Sequence, residues 1–134
     1  MTVPWAYRPS EQSHEPICIV DDDVSVADSL KSLLEAFGFD VRCYTSGAEF
    51  VADHRHRIAS CLVIDQHMLG LNGLDVVDHL QKEGVRVPTI LISGRLDTRT
   101  KERAASLGVV SVLEKPFAAG RLVGLIRTAL LEYN

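Results

Sequence analysis

The sequence has no basic excess, few aromatic residues, no long apolar run and no paired cysteine spacing. Its 14 Lys and Arg against 18 Asp and Glu leave a formal charge of −4, whereas sequence-independent binding to nucleic acid needs a basic surface. No apolar stretch approaches the roughly 20 residues that span a bilayer. The N-terminus, with Trp5, Tyr7, Arg8 and two prolines, has neither the apolar core nor the cleavage pattern of a signal peptide. A cytoplasmic protein that binds neither nucleic acid nor membrane directly is expected. Cys18, Cys43 and Cys61 are odd in number, and each lies in or beside an expected strand. Buried free thiols are therefore expected, not a disulfide framework or a Cys-based metal site.

What is present fits one domain. An apolar fraction of 46% with 24% charged residues is that of an ordinary globular chain. Residues 1–15 show no periodicity and read as a flexible N-terminal extension to a body spanning residues 16–134. In that body, Pro16–Val20 is a short apolar strand running into Asp21, Asp22 and Asp23. The period then changes: Val26, Leu30, Leu33, Leu34 and Phe37 fall at helical spacing, with Gly38 at the expected C-cap. Phe39–Tyr44 alternates as a second strand, and Ser46 can cap a short helix from Gly47 to Ala52. Ser60–Asp65 is an apolar run of strand length ending in one carboxylate, as for a strand buried on both faces. Leu74, Val77 and Leu80 form the face of a third helix, and Val87–Ser93 a fourth strand. Asp97 or Thr98 caps a polar helix that ends near Gly108. Val109–Leu113 is the fifth strand, and Leu122, Leu125, Ile126 and Ala129 line a closing helix. Five strands alternating with five helices imply right-handed crossovers and a doubly wound parallel sheet, flavodoxin-like, in the order 2-1-3-4-5.

In such a sheet the loops after strands one, three, four and five share one edge. Asp21, Asp22, Asp65, Ser93 and Lys115 are thereby brought towards one crevice. Crowded carboxylates repel one another, and Mg²⁺ suits a site of a few carboxylates, waters and a substrate phosphate. A carboxylate also serves as a nucleophile towards a phosphoryl donor. Lys115 offers an ammonium to neutralise charge on the transferring oxygens, and Ser93 a hydroxyl to hydrogen-bond them. Asp23 or Ser25 is expected to cap the first helix. His54 and His56 read as a solvated loop, because no third ligand lies nearby in sequence.

These motifs together resemble the receiver domain of two-component response regulators. The resemblance rests on Val20-Asp21-Asp22-Asp23, on Asp65 with Gly73 after it, on Ser93-Gly94 and on Lys115-Pro116-Phe117, and it runs from about Ile17 to Leu131. The segments IVDDDVSVADSL and LEKPF look most like the receivers of nitrogen-fixation-type transcriptional regulators. The resemblance implies that Asp65 accepts a phosphoryl group from a histidine kinase or histidine phosphotransfer protein. It implies Mg²⁺ bound by Asp22 and Asp65, with Asp21 in support and the backbone carbonyl of His67 as a further ligand. Ser93, followed by Gly94, would swing to the phosphoryl group and Lys115 pair with it, switching a surface for a downstream protein or for a phosphorylation-dependent homodimer. The chain would then be a signalling switch with self-catalysed phosphotransfer and autodephosphorylation, not a metabolic enzyme.

Three positions, Leu69, Val112 and His67, depart from the family pattern. Leu69 stands where proline is usual, and Val112 where an aromatic normally reports phosphorylation to the output face. His67 and Arg95 occupy the two positions that tune phosphoryl lifetime in the family. Three rival readings share the fold. A flavin carrier would need a phosphate cradle where Asp21, Asp22 and Asp23 stand. An aspartate-dependent phosphatase would need a second aspartate where His67 stands. A phosphorylation-independent interaction module needs none of this chemistry. No output unit follows the closing helix, so the chain is expected either to act alone or to be a fragment of a longer regulator.

Overall fold

A computed structural model describes residues 15–53 and 58–132 of the 134-residue chain. Strand β1 (Ile17–Val20) leads to helix α1 (Val24–Ala36), then β2 (Val41–Tyr44), α2 (Gly47–Ala52), β3 (Cys61–Asp65) and α3 (Gly73–Lys82). The chain continues through β4 (Thr89–Ser93), α4 (Thr98–Ser106), β5 (Ser111–Glu114) and α5 (Ala119–Glu132). All pairings are parallel, in the order β2-β1-β3-β4-β5. This is the doubly wound topology expected from the alternation of elements.

The two-residue period of the strands splits the core into two layers. Ile17 and Ile19 of β1, Cys61 and Val63 of β3, and Ile90 and Ile92 of β4 pack with Ala27, Leu30 and Leu34 of α1 and with Leu122, Ile126 and Ala129 of α5. Cys18, Val20, Leu62, Ile64 and Leu91 pack on the other face with Phe50, Leu74, Val76, Leu80 and Ala104 of α2, α3 and α4. Every residue of β1, β3 and β4 is buried, which is why these strands read as unbroken apolar runs. The Tyr44 and Phe50 rings meet edge to face at 5.0 Å, joining the β2 edge to α2.

Helix starts follow their caps. Asp23 accepts from the Ser25 and Val26 amides, Ser46 from Glu49, and Asp97 from Thr100. At α3, Asn72 and Asp75 form a reciprocal capping box. Arg103 of α4 contacts Asp75 Oδ1 at 3.0 Å and ties α4 to that box. At the end of α1, Gly38 takes φ +94°, a backbone region that strains any residue with a Cβ.

Four expectations need correction, the first being that the fourth strand begins at Thr89, not Val87, since Pro88 has no amide to give to the ladder. The second strand begins at Val41, not Phe39, because the Phe39 amide bonds the Leu34 carbonyl and closes α1. The fifth begins at Ser111, not Val109, because the Val109 amide is used on Ala104 at the end of α4. Phe37 is 45% exposed and not a core residue; Arg127 lies over its ring at 5.8 Å, and Ala27 fills the α1 face instead. None of the three cysteines is in a disulfide; Cys18 and Cys61 are buried as expected, whereas Cys43, on the β2 edge, is half-buried. Burial pushes the Cys61 thiol up to about 12, so it stays protonated and packs as a small apolar group. Residues 1–14 of the expected N-terminal extension, and His54 and His56, lie outside the described residues.

Candidate functional site

The carboxyl ends of β1, β3 and β4 and the loop after β5 converge because the strands are parallel and in register. Val20 lies opposite Ile64, and Asp65 opposite Ile92. Asp65 continues the parity of Cys61 and Val63 and so lies on the face covered by α1 and α5. Asp21, after β1, and Lys115, after β5, continue the same parity. Ser93, one step out of phase with Ile92, closes β4 from the other side.

Carboxylate oxygens of Asp21, Asp22 and Asp65 lie within 4.8 Å of one another. Asp21 and Asp65 are 2% and 6% exposed, while Asp22 faces solvent. Lys115 Nζ lies 3.5 Å from Asp65 Oδ2 and 3.8 Å from Asp21 Oδ2. Three carboxylates against one ammonium leave a formal −2 in a half-enclosed pocket. Burial raises the Asp21 carboxyl above its ordinary value; the Asp23 amide opposes this and the Asp65 charge reinforces it. An acidic oxygen cluster of that charge fits a hard divalent cation.

The loops hold these groups by backbone bonds. Asp21 Oδ1 accepts from the Asp23 amide at 2.9 Å, and Asp22 Oδ2 from the Leu69 amide at 3.2 Å. Asp65 Oδ1 accepts from the His67 amide at 3.3 Å. The Lys115 amide donates to the Ser93 carbonyl at 2.9 Å, and the Lys115–Pro116 peptide is cis. Gln66 is buried, and its side-chain oxygen accepts from the Leu74 amide at 2.9 Å, joining the loop after Asp65 to α3. Sequence reasoning missed Gln66, because a polar residue after a strand gives no periodic signal. Ser93 is fully buried, with its hydroxyl on His67 and Arg95. Gly94 and Arg95 are exposed, and Val112 is half-buried beside the α2/α3/α4 core layer.

Asp23 stands apart from the cluster as a helix cap. Its carboxyl is held below the ordinary range first by the Ser25 hydroxyl and then by the Val26 amide. Asp97 is lowered in the same way, by the Thr100 amide. A lowered folded pKa contributes stability that is present above the ordinary carboxylate value of 3.8 and is lost as pH falls through the folded value. Asp97→Asn keeps an acceptor for the Thr100 amide but cannot titrate. Urea unfolding followed between about pH 2 and 6 should therefore show a shallower acid limb in Asp97→Asn than in the wild type. Equal limbs would mean that the Asp97 cap does not contribute. Asp21 has the opposite sign, since its raised value makes ionisation cost stability as pH rises.

Residues 17–127 match the family model described as response regulator receiver domain. The chain belongs to that family. This receiver is 38% identical over 114 residues to the response regulator protein TodT of Pseudomonas putida, covering 85% of this chain and 50% of TodT. It is 33% identical over 115 residues to the transcriptional regulatory protein FixJ of Azorhizobium caulinodans, covering 86% of this chain and 54% of FixJ. The crystal structure of FixJ-N superposes with a TM-score of 0.80 at 30% identity, covering 87% of this chain and 94% of that one. The receiver spans about half the length of the curated relatives it matches. Among the described residues, no helix is long and apolar enough to cross a membrane.

Proposed function

We propose that this receiver is a phosphorelay switch in which Asp65 accepts a phosphoryl group from a histidine kinase or histidine phosphotransfer protein. The observation that carries the reading is Asp65 at the end of a central strand, grouped with Asp21 and Asp22 and 3.5 Å from Lys115. In the transfer, an Asp65 carboxylate oxygen forms a bond to phosphorus as the bond from phosphorus to the donor nitrogen breaks, giving an acyl phosphate. Mg²⁺ held by Asp21, Asp22, Asp65 and the His67 backbone carbonyl would supply charge neutralisation for the transferring oxygens. Lys115 is already beside Asp65 and pairs with the phosphoryl group once it arrives. Ser93 then donates its hydroxyl hydrogen to a phosphoryl oxygen, and the altered β4–α4 loop changes the surface offered to a downstream protein. Autodephosphorylation resets the switch, and no metabolic turnover is attributed to it.

The site argues against a flavin phosphate at the loop after β1. The Ser25 and Val26 amides that would hold such a phosphate are taken by the Asp23 side chain, at 3.0 and 3.3 Å. The position two residues after Asp65 holds His67, which supplies no second carboxylate for phosphatase chemistry.

Intact mass after incubation with acetyl phosphate tests the proposal. The wild-type protein should gain one phosphoryl mass in Mg²⁺ and none in EDTA. An adduct that forms equally in EDTA would remove the metal from the scheme. No adduct with either acetyl phosphate or a phosphorylated histidine donor would leave a phosphorylation-independent interaction module.

A further inference from the structure

The Ser93 hydroxyl oxygen is fully buried, yet it has three polar neighbours. The Arg95 carbonyl oxygen lies at 2.6 Å, the Arg95 amide nitrogen at 3.1 Å and His67 Nε2 at 2.9 Å. A serine hydroxyl has one hydrogen to donate and two lone pairs to accept with. The carbonyl can only accept, so the hydroxyl hydrogen points to Arg95. The Arg95 amide can only donate, which fills one lone pair. His67 must then supply a hydrogen to the other, so its ring carries one on Nε2. The Ser93 oxygen is saturated in this arrangement. Nothing remains for a phosphoryl oxygen on Asp65 until the bond to the Arg95 carbonyl breaks and the hydroxyl turns away from His67.

We propose that His67 is a latch on Ser93, whose Nε2–H holds the hydroxyl in its resting orientation and opposes its engagement of a phosphoryl group on Asp65. The inference rests on the reading of Asp65 as the phosphoacceptor. One residue joins the two groups: the His67 amide bonds Asp65 Oδ1 while its ring bonds the Ser93 hydroxyl. The ring is solvent-exposed and closes over the buried hydroxyl from outside. Its removal therefore leaves no cavity in the core, and its weight is that of one partly solvated hydrogen bond. His67 acts through Ser93 and is a positioning residue.

The test titrates beryllofluoride, a phosphoryl mimic, in Mg²⁺ against the wild type, His67→Ala, Ser93→Ala and the double variant, read by backbone amide shifts. Losing one neutral hydrogen bond from the resting state should tighten binding by His67→Ala about threefold to tenfold. The gain should vanish in the Ser93→Ala background, and His67→Gln, which can still donate at the same reach, should bind like the wild type. The ¹⁵N spectrum of the His67 ring should show the Nε2–H form, with a shift that changes in Ser93→Ala. Equal or weaker binding by His67→Ala, a gain that survives without Ser93, or an Nδ1–H ring overturns the latch and leaves Asp65 untouched. Binding by none of the proteins removes the phosphoacceptor reading, and the latch with it.

Discussion

Asp65→Asn is expected to form no phosphoryl adduct with acetyl phosphate and Mg²⁺, and to unfold at higher urea than the wild type when both are in EDTA. The first effect follows because an amide is a poor nucleophile and no second carboxylate stands where Asp65 stands. The second follows from charge. Two like charges about 5 Å apart repel by about 3 kcal/mol at an effective dielectric of 20. Asp65 faces two such neighbours, Asp21 and Asp22, against one ammonium on Lys115. The repulsion from Asp22 is weakened by solvent, and Lys115 offsets much of the rest, so the net gain should be about 1 kcal/mol. Mg²⁺ reverses the ranking: it should raise the wild-type unfolding midpoint in proportion to its binding and the variant's much less. An adduct of unchanged yield on Asp65→Asn would place the acceptor on another side chain. A variant less stable than the wild type in EDTA would mean that the ion pair to Lys115 outweighs the crowding.

Gly73→Ala should be the most damaging single-atom-group insertion near the site. A Cβ there would lie 2.8 Å from the Asp65 carbonyl oxygen, 2.8 Å from Leu91 Cδ1 and 3.1 Å from Gln66 Cα. Two of these three atoms are backbone and cannot rotate aside, so α3 or the end of β3 has to shift. A destabilisation of about 2–4 kcal/mol is expected. Because the displaced peptide carries Asp65 and Gln66, phosphorylation by acetyl phosphate should slow as well. Gly124→Ala is the control, since its Cβ meets nothing within 4 Å on an exposed position of α5. There the helix gains up to about 1 kcal/mol from the better propensity. Urea unfolding of the two variants against the wild type separates them by sign. A neutral Gly73→Ala would mean that β3 and α3 can part at no cost.

Much of this was readable from residue order. The buried strands announced themselves because both of their faces are covered, leaving apolar runs that stop abruptly at Asp21, Asp65 and Ser93. The edge strand β2 was harder to bound. Three of its four residues are only half-buried, and the Phe39 amide is drawn back to the end of α1. Phe37 was misplaced because helical spacing shows which residues share a face, not how far the covering layer extends. The capping box at Asn72 and the buried Gln66 escaped notice because single polar residues in a loop carry no period.

The sequence alone determined the order of elements, the doubly wound topology and the set of chemical groups that end its strands. Period-two and period-3.6 burial leave marks in residue order, and right-handed crossovers leave one economical way to pair five such strands. The tertiary structure alone decided the register, and with it which of those groups meet. With Asp65 opposite Ile92, its carboxylate falls on the α1/α5 face beside Asp21 and Lys115; a slip of one residue would turn it to the other face. It also decided that the His67 ring reaches Ser93, 26 residues along the chain. That contact runs from the loop after β3 to the last residue of β4; no periodicity constrains the loop's direction, and only the packed strands beneath fix the distance.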